Sequence, residues 1–298
     1  MRILHRPRSW LKFVSELQYV SLMIPALVVF TIGMVVPIVM GFSFSLTNWS
    51  GLSRTMAFIG LNNYKHAVLD KWLYDAFKFT ILFVIFNTSI QNIFALLFAM
   101  ALDKDLKGQN IYRTIIFMPA LLSPILCGFL WSKMFAVVLP TLNEILGTQI
   151  QFGLLARHET VLAGLLIINN WKWIGYWMMI YLAALQAVPA ELYESLSLDG
   201  GSEWHRIRHV TLPLIRPALT ICIVGIAIGS FKVYDLIVTA TGGGPGHASV
   251  SIVMYIYNMA FLTNRPAYAS AISILYMLFL MMISIIQLRF LRRREVQL

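Results

Sequence analysis

Six apolar segments decide what this chain can fold into. They lie near residues 20–46, 79–102, 114–134, 160–187, 217–240 and 267–288. A hydrocarbon core about 30 Å thick is crossed by ~20 helical residues rising about 1.5 Å each, and each segment is long enough. Residues 17–46 carry no charge at all. A helix satisfies its own backbone groups in lipid, whereas open strands leave theirs unpaired, and no strand-and-turn barrel pattern is present. The composition agrees: 59% of the residues are hydrophobic and 12% charged, against about 25% charged in soluble domains. The expected fold is an all-α integral membrane protein of six transmembrane helices, forming one domain over residues 1–298.

The charges between the segments orient it. Arg2, Arg6, Arg8, Lys12, Lys104, Lys107, Arg113, Arg206, Arg208, Arg216, Arg289, Arg292, Arg293 and Arg294 fall on one side, 14 against the 6 on the other. The richer side is expected to be cytoplasmic, which puts both termini inside a multi-pass protein of the cell membrane. The basic N-terminus, residues 1–13, imitates a signal peptide, but the uncharged run after it is far longer than a ~7–15-residue signal core. It reads as a retained first span. The net charge of +10 comes without a basic, aromatic-interleaved patch, so nucleic acid is not an expected partner; the lipid bilayer is. Cys127 and Cys222 both lie in apolar runs and read as small buried hydrophobes, with no disulfide framework and no metal site.

The outer segments, roughly 47–78, 135–159 and 241–266, are too short to be domains; the first has room for a short helix around residues 61–69. In the last, Thr241-Gly242-Gly243-Gly244-Pro245-Gly246 lacks the Gly-Lys-Ser/Thr ending of a phosphate-binding loop. It reads as a tight turn closing the fifth span. No catalytic cluster is present, and the chain is not expected to be an enzyme, to hydrolyse nucleotide or to bind a cofactor.

The cytoplasmic connection over residues 189–216 is the most informative stretch. A helix is expected from Ala190 to Asp199, stopped by Gly200-Gly201, because glycine accepts the left-handed conformation that closes a helix. Ser202 then caps a second short helix, with Glu203 at its positive end and Pro213 expected to end it. Two short helices meeting at a corner make a rigid knob. Its apolar residues Leu192, Tyr193, Leu196, Leu198, Trp204 and Ile207 exceed what a solvated loop needs.

Here the chain resembles the permeases of binding-protein-dependent, ATP-driven importers. Their coupling loop reads Glu-Ala-Ala, three residues, Gly, nine residues, Ile-x-Leu-Pro. Glu194, Gly200, Leu212 and Pro213 stand at those spacings, with 98 residues between Gly200 and the C-terminus. Ser195 and Leu196 replace the alanines, and Val210 replaces the isoleucine. Phe58-Ile59-Gly60-Leu61-Asn62-Asn63-Tyr64, and Asp235-Leu236 followed by Thr241–Pro245, resemble segments of the carbohydrate branch, as in maltose importers. The resemblance implies a second, related permease subunit, two ATP-binding-cassette ATPase subunits that hold ATP and magnesium, and an extracellular solute-binding protein. It also implies that Glu194, Leu196, Asp199, Gly200, Leu212 and Pro213 couple this chain to an ATPase. The implied cycle is alternating access, with ATP binding on the partners closing the cytoplasmic side.

Span four offers a path for a sugar. Asn170, Trp173 and Trp177 are spaced by three and four and share a helix face. An amide can bond hydroxyls on a sugar's rim, and an indole can stack on its C–H face. The resemblance places these three where maltose-type permeases line their solute site; the plain alternative is an interfacial aromatic belt. In span five, Lys232 and Asp235 are three apart on one expected face. An intramembrane charge costs about 2.5–3.5 kcal/mol on insertion scales and turns to a cavity or a partner. Lys232 therefore either contacts solute oxygens or is neutralised by Asp235. Ser123, beside Pro124, is a further pathway candidate, since Pro119 and Pro124 break the ladder of span three. Asn87, Ser89, Gln91 and Asn92 of span two read as glue between helices.

Two other classes stay open on sequence alone. A secondary transporter or channel for a small polar solute would show repeated halves or several intramembrane carboxylates, and Asp235 is the only one within a span. A membrane-embedded enzyme would need a cluster such as His-Glu-x-x-His, which does not occur.

Overall fold

The computed structural model describes residues 21–53, 55–104, 107–147 and 153–292. The N-terminal basic segment, Arg54, Arg293 and Arg294, all counted in the charge asymmetry, lie outside the described residues. Among the described residues the chain is helical, with an isolated antiparallel bridge between Thr47 and Phe58 and no strand. Four helices are long and apolar enough to cross a membrane, and up to six if each of two bent pairs counts as one span. The contacts divide into two compact units, Met1–Val68 with Met259–Leu275, and Leu69–Asn258 with Tyr276–Leu298.

The first unit begins with α1 (Ser21–Ser45), none of which is buried over its most apolar stretch. Leu22 and Val29 are more than 70% exposed, an apolar surface of the kind that meets a membrane or a partner. The next helix, α2 (Asn62–Leu69), matches the short outer helix expected there. Asn63 ties the chain back on itself: its Nδ2 donates to Ser45 O and Thr47 O, both at 2.8 Å. Tyr64 Oη pairs with Ser45 Oγ at 2.7 Å. The Phe58–Tyr64 segment thus serves locally to cap the end of α1.

The second unit is built on α3 (Lys71–Leu102) and α6 (Val161–Gln186), which pack along their length. Helix α3 starts well before residue 79 because Asp70 caps it, accepting from Trp72 N at 3.0 Å and Leu73 N at 3.3 Å. Ala95 and Ala99 are fully buried and let the backbones approach against Met178, Tyr181 and Leu182. Tyr181 Oη donates to Asn92 Oδ1 at 2.6 Å. Asn87, Gln91 and Asn92 bond across helices, as expected of glue, whereas Ser89 bonds only within α3, to Ile85 O.

The expected third span, residues 114–134, is not one helix: the break falls inside it, and the helix long enough to cross runs from Pro124 to Leu146, into the expected outer segment. Helix α4 (Gln109–Phe117) tightens into a 3₁₀ turn over Met118–Leu121, Leu122 is extended, and α5 (Pro124–Leu146) begins afresh. Both prolines sit in the first turn of their new element, where a missing N–H costs nothing.

Helix α6 bends 67° into α7 (Ala190–Leu198). The corner is a complete left-handed closure: Gly200 has φ +74°, Gly200 N donates to Ser197 O at 3.2 Å, and Gly201 N to Leu196 O at 2.9 Å. Ser202 caps α8 (Glu203–Leu214), accepting from His205 N. Pro213 does not end this helix, contrary to expectation. The turn before it, Arg206–Thr211, is π-helical, and the helix continues to Leu214. The 71° bend falls at buried Ile215, and Pro217 sits in the first turn of α9 (Arg216–Phe231).

Span five is also interrupted, which was not expected. Helix α9 ends at Phe231 and α10 (Asp235–Ala240) follows after Lys232, Val233 and Tyr234. The carbonyls freed there find distant hydroxyls. Tyr276 Oη donates to Phe231 O at 2.7 Å, and Ser251 Oγ to Val233 O at 2.8 Å. The glycine run after α10 is a tight turn, with φ +60° at Gly242 and +87° at Gly243. Helices α11 (Ile252–Leu262) and α12 (Pro266–Arg292) complete the chain.

Candidate solute cavity and the α7–α8 corner

The two interruptions meet α3 and α6 around one cavity of about 370 Å³. Helix α6 supplies Asn169, Trp173, Tyr176 and Trp177; α3 supplies Asn87 and Gln91; α9 supplies Gly225, Gly229 and Ser230. The broken stretch from Lys232 to Leu236 and Pro124 close the wall. The aromatics stand edge to face, Trp173 to Tyr176 at 5.9 Å and Tyr176 to Trp177 at 5.0 Å, which holds the rings upright. Trp177 lies over Gly225, where a Cβ would stand 2.5 Å from its Cη2. A Cβ on Gly229 would meet nothing within 4 Å. That glycine leaves the cavity open.

The floor is an amide network. Asn87 Oδ1 accepts from Asn169 Nδ2 at 2.9 Å and Asn170 Nδ2 at 3.1 Å, and Asn87 Nδ2 donates to Ser230 Oγ at 2.7 Å. One residue therefore bonds three helices, α3, α6 and α9, beneath the cavity.

The residues singled out from sequence fall in different places. Trp173, Trp177 and Lys232 line the cavity. Asn170 does not: it is 6% exposed and bonds Leu166 O and Asn87, while its neighbour Asn169 reaches the cavity. Ser123 caps α5, accepting from Leu126 N at 3.2 Å, and Pro124 lines the cavity beside it. Asn169, Tyr176 and Tyr234 were missed. Trp173 and Trp177 fit both a phase through Asn170 and one through Asn169, so spacing alone left the choice open. Lys232 and Asp235 do not share a helix face. Lys232 follows the last turn of α9 and Asp235 opens α10, so each charge complements the dipole of its own half-helix. They form no ion pair with each other among the described residues.

At the corner of α7 and α8, Glu194, Asp199 and Gly200 are exposed. Leu196 is half-buried because it folds over Gly201, where a Cβ would lie 2.6 Å from its Cγ. Leu198, 89% exposed, and Trp204, 63% exposed, are the corner's barest apolar side chains, and Leu192 is also exposed. Arg206 stacks on the Tyr193 ring at 4.2 Å, and Tyr193 Oη pairs with Thr211 Oγ1 at 3.2 Å, which locks α7 to α8. Leu212 packs on the buried cluster between α3, α6 and α9, and Pro213 is half-buried beside it. At the nearby end of α3, burial raises the Asp103 carboxyl above its ordinary value, with Arg206 and Arg113 opposing the shift.

Comparison with known proteins agrees with this architecture. The family described as "Binding-protein-dependent transport system inner membrane component" matches residues 91–296. The probable starch degradation products transport system permease protein AmyD of Thermoanaerobacterium thermosulfurigenes is 30% identical over 286 residues, 96% of this chain and 98% of that one. The trehalose/maltose transport system permease protein MalF of Thermococcus litoralis is 30% identical, covering 92% and 93%. Among solved structures, a chain of a bacterial alginate ABC transporter in complex with a pentasaccharide-bound periplasmic protein superposes with a TM-score of 0.82 at 21% identity, over 96% of this chain and 98% of that one. With the family matched over most of its length, this multi-pass chain belongs to the inner membrane components of binding-protein-dependent transport systems.

Proposed function

We propose that this chain is the permease subunit of an ATP-driven importer and forms half of the translocation path for a carbohydrate, in keeping with an oligosaccharide. The cavity carries the reading. Upright indole and phenol rings and uncharged amides converge where two spans are broken, chemistry that suits the C–H faces and hydroxyl rim of a sugar. Relatives named for starch degradation products and for trehalose and maltose support it. A second reading, an anionic solute, is favoured by Lys232 on the cavity wall and by a relative named for sn-glycerol-3-phosphate, 30% identical over 82% of this chain. Asp235 on the same wall weighs against it.

In this account the chain is one transmembrane domain of six spans, with both termini in the cytoplasm. A second, related permease completes the path, and a solute-binding protein delivers the sugar from outside. Two separate ATPase subunits hold ATP and magnesium, and this chain hydrolyses nothing. The corner of α7 and α8 docks one ATPase through Glu194, Asp199 and the bare Leu198 and Trp204. Gly200 sets its angle, while Leu196 and the Leu212-Pro213 pair brace it from within. The locked Tyr193–Arg206–Thr211 contacts let the corner carry motion without flexing.

The test is purification of the intact complex from native membranes, followed by ligand screening of its binding protein. Co-purified ATPase and binding protein, with a saccharide as the best ligand, are the expected result. A binding protein that prefers a phosphate ester or an amino acid would overturn the carbohydrate assignment. Recovery of an active transporter without an ATPase would overturn the importer itself.

A further inference from the structure

Lys172 lies in the middle of α6 and is 2% exposed, a cation buried within an apolar bundle. Such a group needs a partner, yet no carboxylate pairs with it among the described residues. Its ammonium instead donates to Ala120 O at 3.1 Å and to Leu122 O. These are the carbonyls that the interruption of span three leaves without an N–H, at the negative end of α4 and its 3₁₀ turn. The same ammonium stands 4.4 Å from the Trp173 ring centroid. One turn on, Gly175 has no room for a Cβ, which would meet Ile116 O and the Phe117 backbone. One face of α6 is thus moulded to the break, while Asn169, Trp173 and Tyr176 face the cavity. Pro124, two residues beyond the bonded Leu122, is also part of the cavity wall.

We propose that Lys172 is a positioning residue for transport. By holding the Ala120–Leu122 carbonyls and the Trp173 ring at once, it fixes two sides of the solute cavity without touching solute. An apolar residue of similar length would fill the space, but would leave both carbonyls unbonded and the ring free to turn. The break and the indole would then move independently.

The proposal rests on the importer reading through one of its two assays only. The complete transporter, in proteoliposomes with its binding protein and that protein's own solute, is compared as wild type, Lys172→Met and Lys172→Arg in a Cys222→Ala background. Uptake is measured at equal complex abundance, and Cys127 is probed with a small membrane-permeant maleimide. Cys127 is a sensor of the break: it is fully buried one turn into α5, its N–H bonded to Ser123 O at 3.1 Å. Loss of two interhelical hydrogen bonds corresponds to about a tenfold effect. Lys172→Met should lower uptake by about that factor and expose Cys127 to labelling, and Lys172→Arg should restore both in large part. Should Lys172→Met fail to assemble, Lys172→Leu, which also has no donor, is read in the same way. Full uptake in the neutral variant, or loss of uptake with Cys127 still protected, would overturn the proposal. The labelling arm needs no solute, so it stands even if the cargo is not a carbohydrate.

Discussion

Replacing Gly200 tests how the corner of α7 and α8 works. Its φ of +74° is a left-handed conformation, and a Cβ built there meets nothing within 4 Å. The penalty of a substitution is therefore backbone strain alone, about 1–2 kcal/mol for an ordinary L-residue. That is a factor of roughly 5–30 in the population of the closed corner. Asparagine tolerates the left-handed region and should cost least; valine, β-branched, should cost most. Gly201 differs. Its Cβ would press on Leu196 Cγ at 2.6 Å and Leu196 O at 2.9 Å, so alanine there displaces the side chain that closes the corner. Retention of the ATPase by detergent-solubilised complexes should fall in the order wild type, Gly200→Asn, Gly200→Ala, Gly200→Val, with uptake following. Gly200→Asp adds a charge on the docking face and should release the ATPase while the spans stay folded. Equal retention across the series would refute the claim that a left-handed residue sets the docking geometry.

Gly229→Leu should leave thermal stability unchanged or slightly higher, since glycine costs a helix about 0.5–1 kcal/mol. It should cut uptake of the longer solutes first, as a competition series of increasing chain length would read. Asn87→Leu removes the hub of three interhelical bonds. At about 0.6 kcal/mol each, unfolding in detergent should fall by about 2 kcal/mol. Because burial raises the Asp103 pKa, wild type loses stability as pH rises through that raised value. Asp103→Asn should therefore be the more stable protein at pH 7, with the difference vanishing below about pH 4. Melting profiles across that range check the sign.

What was legible in the sequence was what local chemistry decides. Gly200 and Gly201 close the helix with bonds to carbonyls three and five residues back respectively, so the corner could be read from neighbours alone. Pro119 and Pro124 announced the break in span three in the same way. The break in span five had no such signal: Phe231-Lys232-Val233-Tyr234 contains neither proline nor glycine. It is held open by Ser251 and Tyr276, which are 18 and 45 residues beyond the carbonyls they bond. Lys172 was opaque for the same reason, since its partners lie some 50 residues earlier. Pro213 misled because a π-helical turn before it absorbs what a regular helix could not. The choice between Asn169 and Asn170 depended on the rotation of α6 against its neighbours, since both amides bond Asn87 and only Asn169 reaches the cavity.

The most direct test of the account is solute uptake into proteoliposomes that contain the complete transporter, with ATP inside or outside and with binding protein present or absent. Uptake of a saccharide should require both ATP on the ATPase side and loaded binding protein on the other, and should drop sharply in Trp173→Ala at equal abundance of the complex. Uptake that continues without ATP and follows a proton or sodium gradient would contradict the account at its centre.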